Sequence, residues 1–177
     1  MNQKTSKSSK MLSDEHIKIL KVVEALAKEV SELEKGKKVN EEFLKNVIDF
    51  IRNYADKFHH AKEEDILFKE FCKQADKGKV HCNPVGQMLS EHDTGRKAIK
   101  KIEEGMRIKN RQMIIDGANE YISLIREHIF KEDNILYPMA DEALDKFVKE
   151  KMFKQFKKIN RERDISKQLN FLKSLKN

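Results

Sequence analysis

The chain is poor in the turn-forming residues that folds rich in β-strands require. Its 177 residues include two prolines, six glycines and no tryptophan, too few turn-forming residues for a β-sandwich or barrel. No long apolar run is present, which excludes a transmembrane span, and the polar first ten residues lack the apolar core of a signal peptide. Two cysteines are too few for a disulfide framework. We therefore expect one cytoplasmic, all-α domain with reduced thiols.

Charge is unevenly distributed along the chain. The net charge is +7, yet residues 146–177 contain eleven Lys and Arg against three acids. A basic segment can bind nucleic acid or a membrane surface, but no aromatic-interleaved basic motif accompanies this one. We interpret it as the solvated face of a helical extension, and expect neither a membrane nor a nucleic acid as partner. Oligomeric state is left open.

Apolar residues recur at helical spacing in four long segments. These segments cover about residues 13–34, 40–72, 83–109 and 111–137, the last ending before Pro138, which disfavours a continuing helix. We expect residues 1–10 to be a disordered polar tail and residues 11–140 to form a four-helix bundle. Residues 141–177 are expected to form a basic helical extension packed on or beside the bundle.

Adjacent histidines make the register of the second helix important. Successive residues of a helix lie about 100° apart. The column through His59 therefore contains Ile48, Ile51, Ala55, Glu63 and Ile66. His60 falls at the edge of this inward face, and Glu64 falls on the polar face. The other helices each place one histidine on an inward stripe, namely His16, His92 and His128, whereas His81 falls in a loop and is not expected to bind metal.

A repeat links the two halves of the chain. His59-His-Ala-Lys-Glu63-Glu-Asp-Ile-Leu-Phe aligns with His128-Ile-Phe-Lys-Glu132-Asp-Asn-Ile-Leu-Tyr. Glu15-His16 and Glu91-His92 also match, each near the start of an amphipathic helix. The chain thus reads as two similar helix pairs. The alignment selects Glu63 over Glu64 as the inward carboxylate, in agreement with the face analysis.

This pattern is typical of a metal site. Histidine and glutamate four residues apart lie one turn apart on one helical face, where both can reach one centre. Inward carboxylates without a cation would be costly. Imidazole and carboxylate ligands without thiolates favour iron or manganese over a structural zinc. Too many donors converge for one ion, so we expect two, bound by His16, His59, His60, Glu63, His92, His128 and Glu132.

The motifs H…HHxxEExxLF…EHxxGR…HxxxExxxLYP resemble those of the bacterial and archaeal hemerythrin-like, or HHE cation-binding, domains. The resemblance covers about residues 11–140 and implies an up-down-up-down bundle with a non-haem di-iron centre, oxo- or hydroxo-bridged. It implies that Glu63 and Glu132 bridge the ions, and that His60 is an extra ligand, as in some relatives. One departure from the invertebrate oxygen carriers is that the third helix has one histidine, with Arg96 one turn beyond His92.

Three functions are consistent with this sequence. A histidine-rich, carboxylate-poor set favours binding of a small ligand, dioxygen or nitric oxide, for sensing, storage or defence against oxidative or nitrosative stress. The first alternative is a di-iron enzyme that reduces peroxide or nitric oxide, or an iron donor for iron–sulfur cluster repair. The second alternative is an interaction module that the metal stabilises. Manganese and zinc are weaker candidates than iron, and the sequence does not decide whether the protein is an enzyme.

Overall fold

The structure, a computed structural model, describes residues 5–75, 78 and 83–175, which form helices and no strand. The helices are α1 (Lys7–Glu34), α2 (residues 41–75), α3 (Asn83–Arg107), α4 (residues 111–143), α5 (Lys146–Glu162) and α6 (Ser166–Ser174). The predicted all-α class is confirmed. Within the described part of the chain, no helix combines the length and the apolarity that crossing a membrane requires.

Helix α1 starts earlier than the sequence predicted. The Ser6 hydroxyl accepts a hydrogen bond from the Ser9 amide and caps the helix, as serine commonly does. The Ser6 amide and the Ser9 hydroxyl both donate to the carboxylate of Asp141. The expectation of disorder is therefore wrong for residues 7–10, because this contact with a distant helix orders a polar segment. Residues 1–4 lie outside the described residues.

Helices α2 and α4 contain wider turns of π type, in which hydrogen bonds join residues five apart. These turns cover Ile51–His60, Glu63–Leu67 and Glu132–Leu136. The Phe68 amide donates to the Glu63 carbonyl oxygen, and the Tyr137 amide donates to that of Glu132. The two halves of the repeat thus carry the same local distortion at the same glutamate.

The predicted end of α4 before Pro138 is wrong, since the helix continues to Ala143. A proline ring inside an α-helix clashes with the carbonyl group four residues earlier. The wider turn at Glu132–Leu136 ends two residues before Pro138 and contains Asn134, the residue four positions before the proline. A wider turn at that position reduces the crowding.

Two apolar clusters lie at different levels of the bundle. One contains residues that follow the inward histidines of α1 and α3 and residues that mostly precede those of α2 and α4, such as Ile19, Leu26, Ile102 and Ile125. The other contains residues from the opposite ends, such as Leu12, Phe71, Met88 and Leu136. On α1, α2 and α3 the inward histidines fall between the two clusters in sequence, and on α4 His128 lies at the end of the first cluster, next to Ile129. The histidines therefore form one polar layer between apolar ones.

The C-terminal helices pack on the bundle. Helix α5 packs on α1 and α6 packs on α2, with Met152 and Phe156 of α5 buried. The Gln168 amide of α6 donates to Asp49 Oδ2 at 2.7 Å. Phe147, by contrast, is 77% exposed.

Cys72 is disulfide-bonded, which contradicts the expectation of a reduced thiol. The only other cysteine in the sequence, Cys82, lies outside the described residues. His81 lies outside them as well.

Candidate metal centre

The polar layer consists of two groups of donors that converge from all four bundle helices. The first group is His16, His59, Glu63 and Glu132, and the second is His60, Glu63, His92 and His128. Within each group the donor atoms lie within 4.8 Å of one another. All seven side chains are buried. The structure thus brings together every residue that the sequence proposed for the site.

The distances between donor atoms suit shared ions. Ligand atoms about 2.1 Å from one ion in octahedral geometry lie about 3 Å apart. His92 Nε2 and His128 Nε2 are 3.0 Å apart. Glu132 Oε2 lies 3.2 Å from His16 Nε2, and Glu132 Oε1 lies 3.2 Å from His128 Nε2. Two buried imidazole nitrogens this close need either a shared proton or a shared cation.

Each central carboxylate faces both groups. Glu132 presents one oxygen to His16 of the first group and the other to His128 of the second. Glu63 Oε2 lies 3.6 Å from His59 Nε2 and 3.6 Å from His92 Nε2. The two carboxylates therefore occupy the positions that bridging ligands between two ions would take.

Several of these polar atoms have no hydrogen-bond partner. Among the described residues, the buried atoms without one include His59 Nε2, Glu63 Oε2 and both carboxylate oxygens of Glu132. A buried polar group without a partner costs about 1–3 kcal/mol, and more when it is charged. These atoms all point into the polar layer, so a cation bound there would satisfy them together.

An outer ring of carboxylates orients the histidines. The Nδ1 atom of each histidine faces an acid, which leaves Nε2 toward the centre. The pairs are His16–Asp133 at 3.0 Å, His59–Glu15 at 2.9 Å, His60–Asp56 at 3.4 Å, His92–Glu64 at 2.7 Å and His128–Glu91 at 2.9 Å. A protonated Nδ1 that donates to an acid fixes the tautomer in which Nε2 carries a free lone pair. His60 is the exception, because its Nδ1 lies near Asp56 without a hydrogen bond.

The outer ring repeats across the two halves. Glu15 precedes His16 and binds His59, just as Glu91 precedes His92 and binds His128. A lysine neutralises each of these glutamates, Lys62 in the first half and Lys131 in the second. Glu15 and Glu91 align in the sequence repeat. They were not predicted to support the site, because the helical faces were used only to find residues that could reach the centre itself.

The prediction that Glu64 points to solvent is wrong. Glu64 is partly buried and aligns with Asp133 in the repeat. Its carboxylate accepts from His92 and from Arg96, at 2.7 Å in both cases. These two contacts lower the pKa of Glu64 to about 2, against a smaller opposing effect of burial. The helical face of Glu64 is polar, but the contact with His92 of a neighbouring helix buries part of its side chain.

His60 is more deeply placed than a regular helix would put it. The sequence placed it at the edge of the inward face, whereas it is 7% exposed and stacks on His92 with ring centroids 3.7 Å apart. In the π-type turns of Ile51–His60 each residue advances less around the axis than in an α-helix, so His59 and His60 both turn inward. With its outer neighbours Asp56 and Glu64, His60 forms a third group of possible donors, and Arg96 contacts both carboxylates.

Two of the differences between the halves change the side chains that face the polar layer. Tyr137 stacks on His16, and its hydroxyl donates to Glu63 Oε1 at 2.5 Å. The equivalent residue, Phe68, stacks on His92 but has no hydroxyl. His60 has no counterpart, because the second half has Ile129 there. The first group thus has two histidines and a nearby phenol, and the second has three histidines.

Protonation within the layer depends on burial and on neighbouring charges. Burial and the charge of Glu132 raise the pKa of Glu63 well above its ordinary value. Burial also acts on Glu132, but His128 and His16 hold its pKa well below the ordinary value. Burial and His92 lower the pKa of His60 to about 3. Without a cation, Glu63 therefore holds a proton and His60 is neutral and able to donate its lone pair.

Formal charge favours two divalent cations. Seven carboxylates contact the histidines, and three cationic side chains contact those carboxylates. With every carboxyl ionised, four negative charges remain, which two divalent ions would neutralise. A buried cluster with that excess charge would otherwise have to take up protons.

A cavity of about 320 Å³ opens onto the second group. His60, His92 and His128 line one part of it, and Tyr121 lines it as well.

Comparison with known proteins agrees with this geometry. The family model described as the hemerythrin HHE cation binding domain matches residues 8–140, most of the chain. No curated protein and no solved structure matches. The matched region contains both donor groups and nearly all of the four-helix bundle, which runs from Lys7 to Ala143. The chain therefore belongs to the hemerythrin HHE cation-binding family, a family of metal-binding helical bundles.

Proposed function

We propose that this protein holds two iron ions in its polar layer and binds a small ligand there. The observation that carries the proposal is that Glu63 and Glu132 each contact a histidine of both donor groups. In this proposal the two glutamates are the bridges. The terminal ligands are His16 and His59 at one ion, and His60, His92 and His128 at the other.

The donor set fits iron. It has five imidazoles and two carboxylates and no thiolate, which suits iron in preference to a structural zinc. Iron supplies a redox-active centre with exchangeable coordination positions. The protein's own contribution is the outer ring, which holds each imidazole in the binding tautomer. Burial of the seven ligands leaves the cavity beside His60, His92 and His128 as the approach to the centre.

Dioxygen or nitric oxide is the ligand we propose. A histidine-rich centre favours binding of such molecules over their activation, for which carboxylate-rich sites are used. The cavity beside His60, His92 and His128 gives a diatomic molecule a route to the second ion. The role that follows is sensing, storage or defence against oxidative or nitrosative stress.

The test is metal analysis and absorption spectroscopy of protein purified without oxygen, before and after exposure to air and, separately, to nitric oxide. We expect about two irons per chain and a spectrum that changes reversibly with the gas. A reproducible value near one iron, or a preference for zinc, would contradict the two-ion centre. Rapid consumption of added peroxide or nitric oxide would instead identify an enzyme.

A further inference from the structure

The cavity beside the second donor group is larger than a diatomic ligand needs. A single water occupies about 30 Å³ in the liquid, whereas this cavity measures about 320 Å³. Pockets that bind small organic molecules begin at about this size. Helices α2, α3 and α4 enclose it, and Ile51, Ile99, Leu124 and Ile125 supply apolar wall. Space and apolar surface of this kind fit the body of an organic molecule.

Tyr121 supplies an unpartnered donor in this cavity. Its side chain is 2% exposed, and its hydroxyl is buried without a hydrogen-bond partner among the described residues. Burial raises the pKa of Tyr121, so the phenol keeps its proton. An isolated buried hydroxyl is costly unless something accepts its hydrogen bond. The cavity is where an acceptor could lie.

Cationic side chains surround the cavity. Arg52, Lys57, Arg96 and Lys100 all line it. Arg52 is paired with Glu103, and Arg96 is paired with Asp56 and Glu64. The lysines are exposed, and within the described part of the chain neither amine reaches a carboxylate. Of the acids in the lining, Asp56 pairs with Arg96, which also binds Glu64 and Asp93, and Glu91 pairs with Lys131. Lys57 and Lys100 are therefore the cations of the lining that no carboxylate of the described residues pairs with.

We propose that this cavity binds a compact organic carboxylate with an apolar body. The apolar body would lie against the isoleucines and Leu124, the carboxylate would lie near Lys57 and Lys100, and Tyr121 would donate a hydrogen bond to an oxygen of the ligand. The chain alone forms this cavity, so the inference does not depend on the identity of the metal or on dioxygen binding.

Isothermal titration calorimetry with octanoate tests this, on metal-loaded and on chelator-treated protein. We expect saturable binding of about one octanoate per chain, and much weaker binding of 1-octanol and octylamine. Absence of octanoate binding in both forms of the protein, or equal binding of octanol, would overturn the proposal. Failure of the iron proposal would appear separately, as low iron content with octanoate binding retained.

Four variants locate the binding site. The three atoms nearest to a β-carbon added at Gly95 belong to the side chains of Leu124 and Tyr121, at 3.6–3.8 Å, which is ordinary van der Waals contact. Gly95 lines the cavity, so Gly95→Leu should place its branched end there and abolish binding. Tyr121→Phe should weaken binding about tenfold, the usual worth of a hydrogen bond to a charged group. Lys100→Glu should weaken it as well. Lys97→Glu makes the same charge change on the same helix at an exposed position outside the lining.

The pattern across the variants decides the result. Each variant is first checked for helical content and melting temperature, and Tyr121→Phe provides a mild change should Gly95→Leu fail to fold. Undiminished octanoate binding in both Tyr121→Phe and Lys100→Glu would place the ligand elsewhere. Equal losses in Lys100→Glu and Lys97→Glu would reduce the effect to general electrostatic attraction and would also overturn the proposal.

Discussion

Replacing Lys62 by methionine tests whether the outer ring of the metal layer supports the fold. Lys62 is fully buried, its amine lies 2.5 Å from Glu15 Oε1, and it also lies 3.5 Å from the ring centroid of Phe58. Methionine keeps an unbranched side chain over Phe58 but leaves the Glu15 carboxylate without its cation. Removal of one partner from a buried ion pair costs about 3–5 kcal/mol.

The second half of the repeat supplies the matched control. Lys131 forms the equivalent pair with Glu91, but its side chain is 27% exposed, against 0% for Lys62. Water can solvate Glu91 when Lys131 is removed, so Lys131→Met should cost about 1 kcal/mol or less. For a protein of this size, about 2–4 °C of melting temperature corresponds to 1 kcal/mol. We expect Lys62→Met to lower the melting temperature by roughly 10 °C and Lys131→Met by a few degrees.

Thermal and urea unfolding of both variants, in chelated and metal-loaded protein, measure this difference. The pKa of Glu15 is already raised, because burial outweighs the opposing effect of Lys62, and loss of Lys62 raises it further. A carboxyl whose folded-state pKa exceeds the unfolded one loses stability as pH rises through the unfolded value. The deficit of Lys62→Met should therefore grow as the pH rises above 4.5, the ordinary pKa of the carboxyl, and Glu15→Gln in the same chain should restore part of it. Equal, small effects of the two lysine variants would refute the reasoning.

Three further outcomes follow from the site. Glu63→Ala should lose at least one metal ion, whereas Glu64→Ala should reduce metal affinity about 10–100-fold, because it removes the carboxylate that orients a histidine. Asp65→Ala, which changes an exposed neighbouring residue, is the control. Normal metal affinity in Glu64→Ala would contradict the orienting role of Glu64. His60→Ala should change the absorption spectrum while retaining most of the metal, since two other histidines of its group remain; an empty site would show that this residue is indispensable. Chelation should lower the melting temperature, because binding to the folded state alone stabilises it, and an unchanged melting curve would argue against a buried site.

Much of the site could be predicted from the sequence because its ligands follow helical periodicity. His59 and Glu63 lie one turn apart on the same apolar column, and buried carboxylates there are costly without a cation. The repeat places His128 and Glu132 in the same arrangement on another helix, which is a second indication of a metal site. Helical geometry and the free-energy cost of burying a charge can both be judged from the sequence of one helix at a time.

Tertiary structure decided what depends on contacts between helices. Glu64 was assigned to solvent by its helical face, yet it contacts His92 of a neighbouring helix, which no analysis of α2 alone can show. His60 turns inward because the helix departs from regular α winding, and periodicity assumes that winding.

The N-terminal segment shows the same division between local pattern and distant contacts. The composition of residues 7–10 predicted disorder, but contact with Asp141 orders them. Local periodicity along each helix, together with the cost of burying a charge, determined the fold class and the candidate ligands. Packing between distant helices determined the outer ring, the cavity and the difference between the two donor groups, because those features depend on which helix faces which and at what distance.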